Sequence, residues 1–257
     1  MAATIEPRYY IGLLSAPHIL FLAILIPLAI IIAYFISRKF GFTKTVVWIC
    51  LVIGILCELD KIFFFVEETP GGYRLPAEHL PFNLCPFQIF LMFALAVSAD
   101  VKKRTFLLAY MYPTMVAGAA FAMFVPSVVV HGYHGLLDFA TYRYFFYHGM
   151  LVFLGFYLYM SKPIQFGIKS FGAAVLGISL VTIIIVWLNA FFGWDPAVNF
   201  FFLVRPPADN LPFLNLDRGW PVYMFNIMWI CVMLFFFCYI KDVVRAVAGL
   251  LKRNRGR

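Results

Sequence analysis

Residues 18–37 read "HILFLAILIPLAIIIAYFIS", twenty residues without a formal charge. One helix needs about 20 mostly apolar residues to cross a hydrocarbon layer about 30 Å thick. The rest of the chain has the same character. Of its 257 residues 64% are hydrophobic and 12% charged, and 31 are Phe. Soluble domains carry about 25% charged residues. A soluble fold of this length has too little interior to hide so much apolar surface. Lipid must therefore solvate the chain, which excludes a soluble domain. The formal charge of +8 does not point to nucleic acid, because the basic residues sit in short clusters between apolar runs. That arrangement orients membrane spans.

The same template reads seven spans, near 18–37, 45–66, 84–100, 105–125, 144–160, 168–193 and 221–240. The expected fold is an all-α polytopic membrane bundle, one integral domain over residues 1–257. The N-terminal stretch lacks a small-residue cleavage site and does not read as a cleaved signal. One set of alternate connections holds fourteen Lys and Arg, namely Arg38, Lys39, Lys44, Lys102, Lys103, Arg104, Lys162, Lys169 and six from Lys241 onward. The other set holds five: Arg8, Arg74, Arg143, Arg205 and Arg218. Positive residues favour the cytoplasmic side, so the N-terminus is expected outside and the C-terminus inside. The long connections 67–83, 126–143 and 194–220 then lie outside. Loops on a rigid scaffold are where function concentrates, so a site facing the outer leaflet is expected.

Within those loops "EHLPFNLCPFQ", residues 78–88, stands out. The other four cysteines, Cys50, Cys57, Cys231 and Cys238, fall inside apolar runs, where a thiol behaves as a small hydrophobe. No disulfide framework is expected. Cys85 instead precedes Pro86, a residue suited to the first helical position. At a helix start, free N–H groups and the dipole favour a thiolate. Asn83 is placed to donate to a developing oxyanion. A packed helix-start cysteine is the commoner case, and the spacing alone decides little. The candidate bases are His18, His79, His131, His134 and His148; His148, in "YRYFFYHGMLVF", shares the side and depth of Cys85.

Other polar groups need an account. Glu58, Asp60 and Lys61 lie at or near the end of the second span. A charge at membrane depth costs a few kcal/mol, so it faces a partner or a wet cavity. Glu58 and Lys61, three apart, share a helix face and can pair. "HGYHG" at 131–135 raises a metal reading, but the two His fall in a Gly-containing loop, and neither a metal nor another cofactor is expected. In "NAFFGWDPAVNFFFLVRPP", Asn199 and Arg205 are of interest because Arg holds phosphate in a two-pronged grip.

"HLPFNLC", then Pro126, then "YHG" at 147–149, then the Asn189–Pro207 stretch and "GWPVY" resemble, in their order, the transmembrane protein 164 family with its YwaF-like bacterial members. The resemblance runs from about residue 45 to 240. Two positions depart from the family pattern: Asn83 stands where His is usual before Leu–Cys, and Phe200 stands where the family has Tyr after Asn199. The resemblance implies a multi-span acyltransferase that moves a fatty acyl chain between glycerophospholipids through a cysteine thioester. The fold it implies is similar to that of the membrane-embedded androgen-induced-protein hydrolases, which use Thr and His. By matching position Cys85 is the nucleophile and His148 its base. Asn83 completes the expected catalytic set; Glu58, His79, Asn199 and Arg205 are the expected substrate-binding positions. Glu58, Asp60, His79 and Asn199 compete as the third catalytic member. Membrane phospholipid is the expected partner, in a bacterial cell membrane. The competing expectation is a transporter or channel with Glu58, Asp60 and Lys61 in a polar path.

Overall fold

The seven apolar runs become seven helices among the described residues: α1 (Ala16–Phe40), α2 (Lys44–Phe65), α3 (Leu84–Ala96), α4 (Val101–Phe124), α5 (Phe139–Ser161), α6 (Ile168–Phe191) and α7 (Trp220–Arg255). This computed structural model describes residues 11–125, 135–136, 138–206 and 213–255, with side chains as far as Gly249. The fold is all-α, apart from a small hairpin, β1 (Glu67–Thr69) paired with β2 (Gly72–Arg74), that the sequence reading did not anticipate. Among the described residues four helices are long and apolar enough to cross a membrane: α1, α4, α6 and α7 over Trp220–Gly249. Helices α2 and α5 are of similar length, 22 and 23 residues, but more polar. Helix α3 has 13 residues, about 20 Å of rise at 1.5 Å per residue.

Several boundaries differ from expectation, each for a local reason. The fifth helix starts at Phe139 rather than 144, because Asp138 caps it by accepting the Ala140 N–H at 3.0 Å. Arg143 is therefore a helix residue and not part of a loop. The third helix ends at Ala96 rather than 100, where a turn begins that Asp100 closes by accepting the Lys102 N–H. The last helix runs past 240 to Arg255, because Lys, Arg and Ala end the hydropathy without opposing the helix.

Burial arranges the helices in depth. In α1 the buried residues His18, Leu22, Ala29, Ala33 and Ser37 form one stripe, while Ile24, Ile31 and Phe35 face outward. Helix α4 is interior: 61% of its apolar window is buried, against 11% for α1. Pro113 inside α4 deprives Ala109 of its helical donor, and the Tyr239 hydroxyl of α7 donates to that carbonyl at 2.9 Å. A π segment, Thr114–Gly118, follows. Two glycines let neighbours approach here. A Cβ on Gly118 would lie 2.9 Å from Leu84 of α3, and one on Gly155 of α5 would lie 2.6 Å from Val116.

Hydrogen bonds tie the helix ends into two layers. At one end Lys44 donates to Ser98 O, Arg104 donates to Ser98 Oγ, and Tyr157 donates to Gly41 O. This is the Lys- and Arg-rich end. At the other end His18 Nε2 bonds Met123 O, Tyr144 donates to Ala122 O, and Trp220 donates to Leu203 O. The starts of α1, α3, α5 and α7 gather there with the ends of α2, α4 and α6, as an alternating bundle requires.

Candidate active site

Cys85 is the second residue of α3 and is 8% exposed. Pro86 occupies the third helical position rather than the first, still within the turn whose N–H groups have no helical acceptor. Tyr147 of α5 donates its hydroxyl to the Cys85 carbonyl at 2.9 Å, a buried bond linking residues 62 apart. Sequence reasoning missed Tyr147. The only signal was its place beside His148, and nothing in one chain shows which helix it faces.

His148, one residue on, is 7% exposed. Its Nδ1 lies 2.7 Å from Tyr144 O, one turn earlier in α5, and its ring stacks obliquely on Tyr144 at 4.2 Å between centroids. A carbonyl only accepts, so Nδ1 carries the hydrogen and Nε2 keeps the lone pair. That is the tautomer a base acting through Nε2 needs.

Asn83 is the N-cap of α3, and its Oδ1 accepts the Phe201 N–H at 2.9 Å. That bond fixes the amide orientation and leaves Nδ2 as the donating end. The expected oxyanion donor is thus held by a loop from the far side of α6. That loop is an unusual turn. Phe201 and Phe202 both have left-handed backbones, φ 57° and 56°, which cost an L-residue about 1–2 kcal/mol each. Three asparagines offset the cost. Asn189, fully buried, exchanges two bonds of 3.1 Å with the Phe200 backbone. Asn199 Oδ1 accepts from Val204 and Arg205 while its Nδ2 donates to Arg205 O. Asn83 supplies the third hold. Phe200 is fully buried between Phe82 and Phe192, so the site is an apolar socket that needs no Tyr hydroxyl.

The remaining candidates lie around this centre. Glu58 pairs with Lys61, as their spacing allows. Asp60 pairs with Arg143 of α5 at 2.6 Å, and the Arg143 guanidinium lies over the Phe64 ring; the sequence reading missed this pair. His79 stacks face to face on Phe65 with centroids 3.8 Å apart, and burial holds it below its ordinary 6.5. Arg205 is exposed, and its backbone rather than its guanidinium is held by Asn199. His131 and His134 lie outside the described residues. All five cysteines are free.

A second missed residue is Gln88. It is fully buried one turn beyond Cys85 and donates from Nε2 to Leu84 O at 3.3 Å and Thr114 Oγ1 at 3.1 Å. Its Oε1 has no hydrogen-bond partner among the described residues.

Together these features define a helical integral membrane protein whose polar groups gather at the loop-rich end of the bundle. The family model for the TMEM164 family matches residues 13–239. The chain belongs to the TMEM164 family. No curated protein and no solved structure matches it.

Proposed function

We propose that this protein is an acyltransferase that moves a fatty acyl chain between glycerophospholipids through a thioester on Cys85, with hydrolysis as a side branch. It works from the outer leaflet of a bacterial cell membrane. The observation that supports the reading is the Tyr147–Cys85 bond, which ties α5, the helix that carries His148, to the first turn of α3. His148 Nε2 takes the thiol proton as Cys85 Sγ attacks the ester carbonyl of a phospholipid. Asn83 Nδ2 and the free N–H groups of the first turn stabilise the oxyanion. The C–O bond breaks, the lyso-lipid oxygen takes the proton from His148, and the acyl group stays on sulfur. A second hydroxyl reverses the steps and carries the acyl group away. Arg205, exposed at the same end, steadies the lipid phosphate; His79, Glu58 and Asn199 shape the headgroup side. The charges of a polar transport path are instead spent on one another, as Glu58–Lys61 and Asp60–Arg143.

The test is intact-protein mass spectrometry after incubation with phosphatidylcholine vesicles. The expected result is a hydroxylamine-labile acyl adduct on the wild type and none on Cys85→Ala. Full acyl transfer by Cys85→Ala overturns the reading.

A further inference from the structure

Gln88 presents an unspent acceptor deep in the protein. Leu84 O can only accept, so the nitrogen of the Gln88 amide must face it and the oxygen must face away. Both Nε2 hydrogens are then used, on Leu84 O and Thr114 Oγ1. Thr114 directs its own hydrogen at Tyr110 O and Met111 O, so it has none for Gln88. Oε1 is buried with no donor among the described residues. Leaving a buried acceptor unmet costs about 1–3 kcal/mol. An apolar residue of the same shape would avoid that cost. The amide reaches back one turn along α3, to the carbonyl of the residue just before Cys85, so it lies beside the turn that carries the thiol.

We propose that Gln88 Oε1 holds the water that hydrolyses the Cys85 thioester. The inference rests on the Cys85 reading above. Water has two hydrogens, so one bonds Oε1 while the other remains for the base. Its oxygen attacks the acyl carbonyl carbon as the second proton passes to His148 Nε2. The C–S bond breaks, the electron pair leaves with Cys85 Sγ, and the proton returns from His148 to the sulfur. The products are a fatty acid and the free thiol. A lyso-lipid hydroxyl has a single hydrogen and must give it to the base, so it cannot use Oε1 in the same way. Gln88 therefore governs the hydrolytic branch and leaves transfer to an alcohol alone.

The experiment loads the full-length protein with acyl groups from phosphatidylcholine vesicles, removes the donor, and follows adduct loss by intact mass. One arm holds buffer alone; the other adds a lysophospholipid acceptor. Gln88→Met keeps the side-chain length and removes the amide. It is expected to slow loss in buffer by at least about tenfold, the worth of one good hydrogen bond. Loss to the lysophospholipid should stay within about threefold of wild type. Gln88→Glu, which keeps an acceptor oxygen, should restore the buffer rate. Equal slowing in both arms, slowing in neither, or failure of Gln88→Glu to restore the rate overturns the inference. A wild-type protein that never forms the adduct overturns the Cys85 reading and this inference with it. An adduct that forms normally but decays without regard to Gln88 overturns the inference alone.

Discussion

Two polar regions sit at the loop-rich end of the bundle, and they are built on opposite rules. At the end of α2 the groups are acids and bases in salt bridges: Glu58 with Lys61, Asp60 with Arg143. At the start of α3 the groups are neutral, and several keep capacity in hand. Cys85 lends its carbonyl to Tyr147 and keeps its thiol, Gln88 keeps an oxygen, and Asn83 keeps its Nδ2 end. The charged region behaves as a clamp between α2 and α5. The neutral region has the spare donors and acceptors that a visiting substrate requires. Under the acyl-transfer proposal, unspent hydrogen-bonding capacity marks the site better than the number of charges does.

Four experiments test that contrast. The largest effect belongs to Cys85→Ala, which should reduce lyso-lipid release from vesicles to background while leaving the melting temperature near wild type. Next comes Arg143→Leu, which leaves Asp60 without its partner and should cost about 1–3 kcal/mol of stability. Pairing it with Asp60→Asn in a double-mutant cycle sharpens the point, because the double variant should lose less than the sum of the two. If the two losses simply add, the clamp is not a clamp. Tyr147→Phe removes one buried bond and should cost about 1 kcal/mol. It should also change the rate at which a membrane-permeant maleimide labels Cys85, which a distant packing change would not do. The smallest effect is a pH dependence. Burial holds His79 below 6.5 in the folded protein, so the unfolded chain binds the proton more readily there. Stability from neutral His79 is whole above about pH 6.5 and declines as pH falls below it. His79→Gln should flatten that decline in a melting series from pH 7.5 to about 5.

Much of the fold was legible in the sequence because lipid imposes a length and a composition on each crossing. The runs at 18–37 and 168–193 needed no partner to be recognised. Cys85 drew attention because it stands beside Pro86 just after a polar stretch, unlike the four set among Phe, Leu and Ile; in the fold it is the buried second residue of α3. Partnerships across the bundle were not legible. Asp60 and Arg143 are 83 residues apart and Tyr147 and Cys85 are 62 apart; a single chain carries no mark of which helix lies opposite. Gln88 looked like one polar residue in an apolar helix. Only the fold shows that Leu84 and Thr114 engage its nitrogen and leave its oxygen. Arg143 was misplaced because Asp138 was not recognised as a cap, and moving the helix start back to Phe139 turns a loop charge into an interhelical pair.

The shortness of α3 carries a further consequence. Its far end joins the Lys- and Arg-rich layer through Ser98. Measured from that layer as a shoreline, 13 residues climb only about 20 Å through a slab about 30 Å thick. Cys85 therefore stops about 10 Å short of the opposite shore, deeper than the ester carbonyls that border the hydrocarbon. Under the acyl-transfer proposal, the bilayer beside α3 must thin, or the lipid must sink, for ester and sulfur to meet.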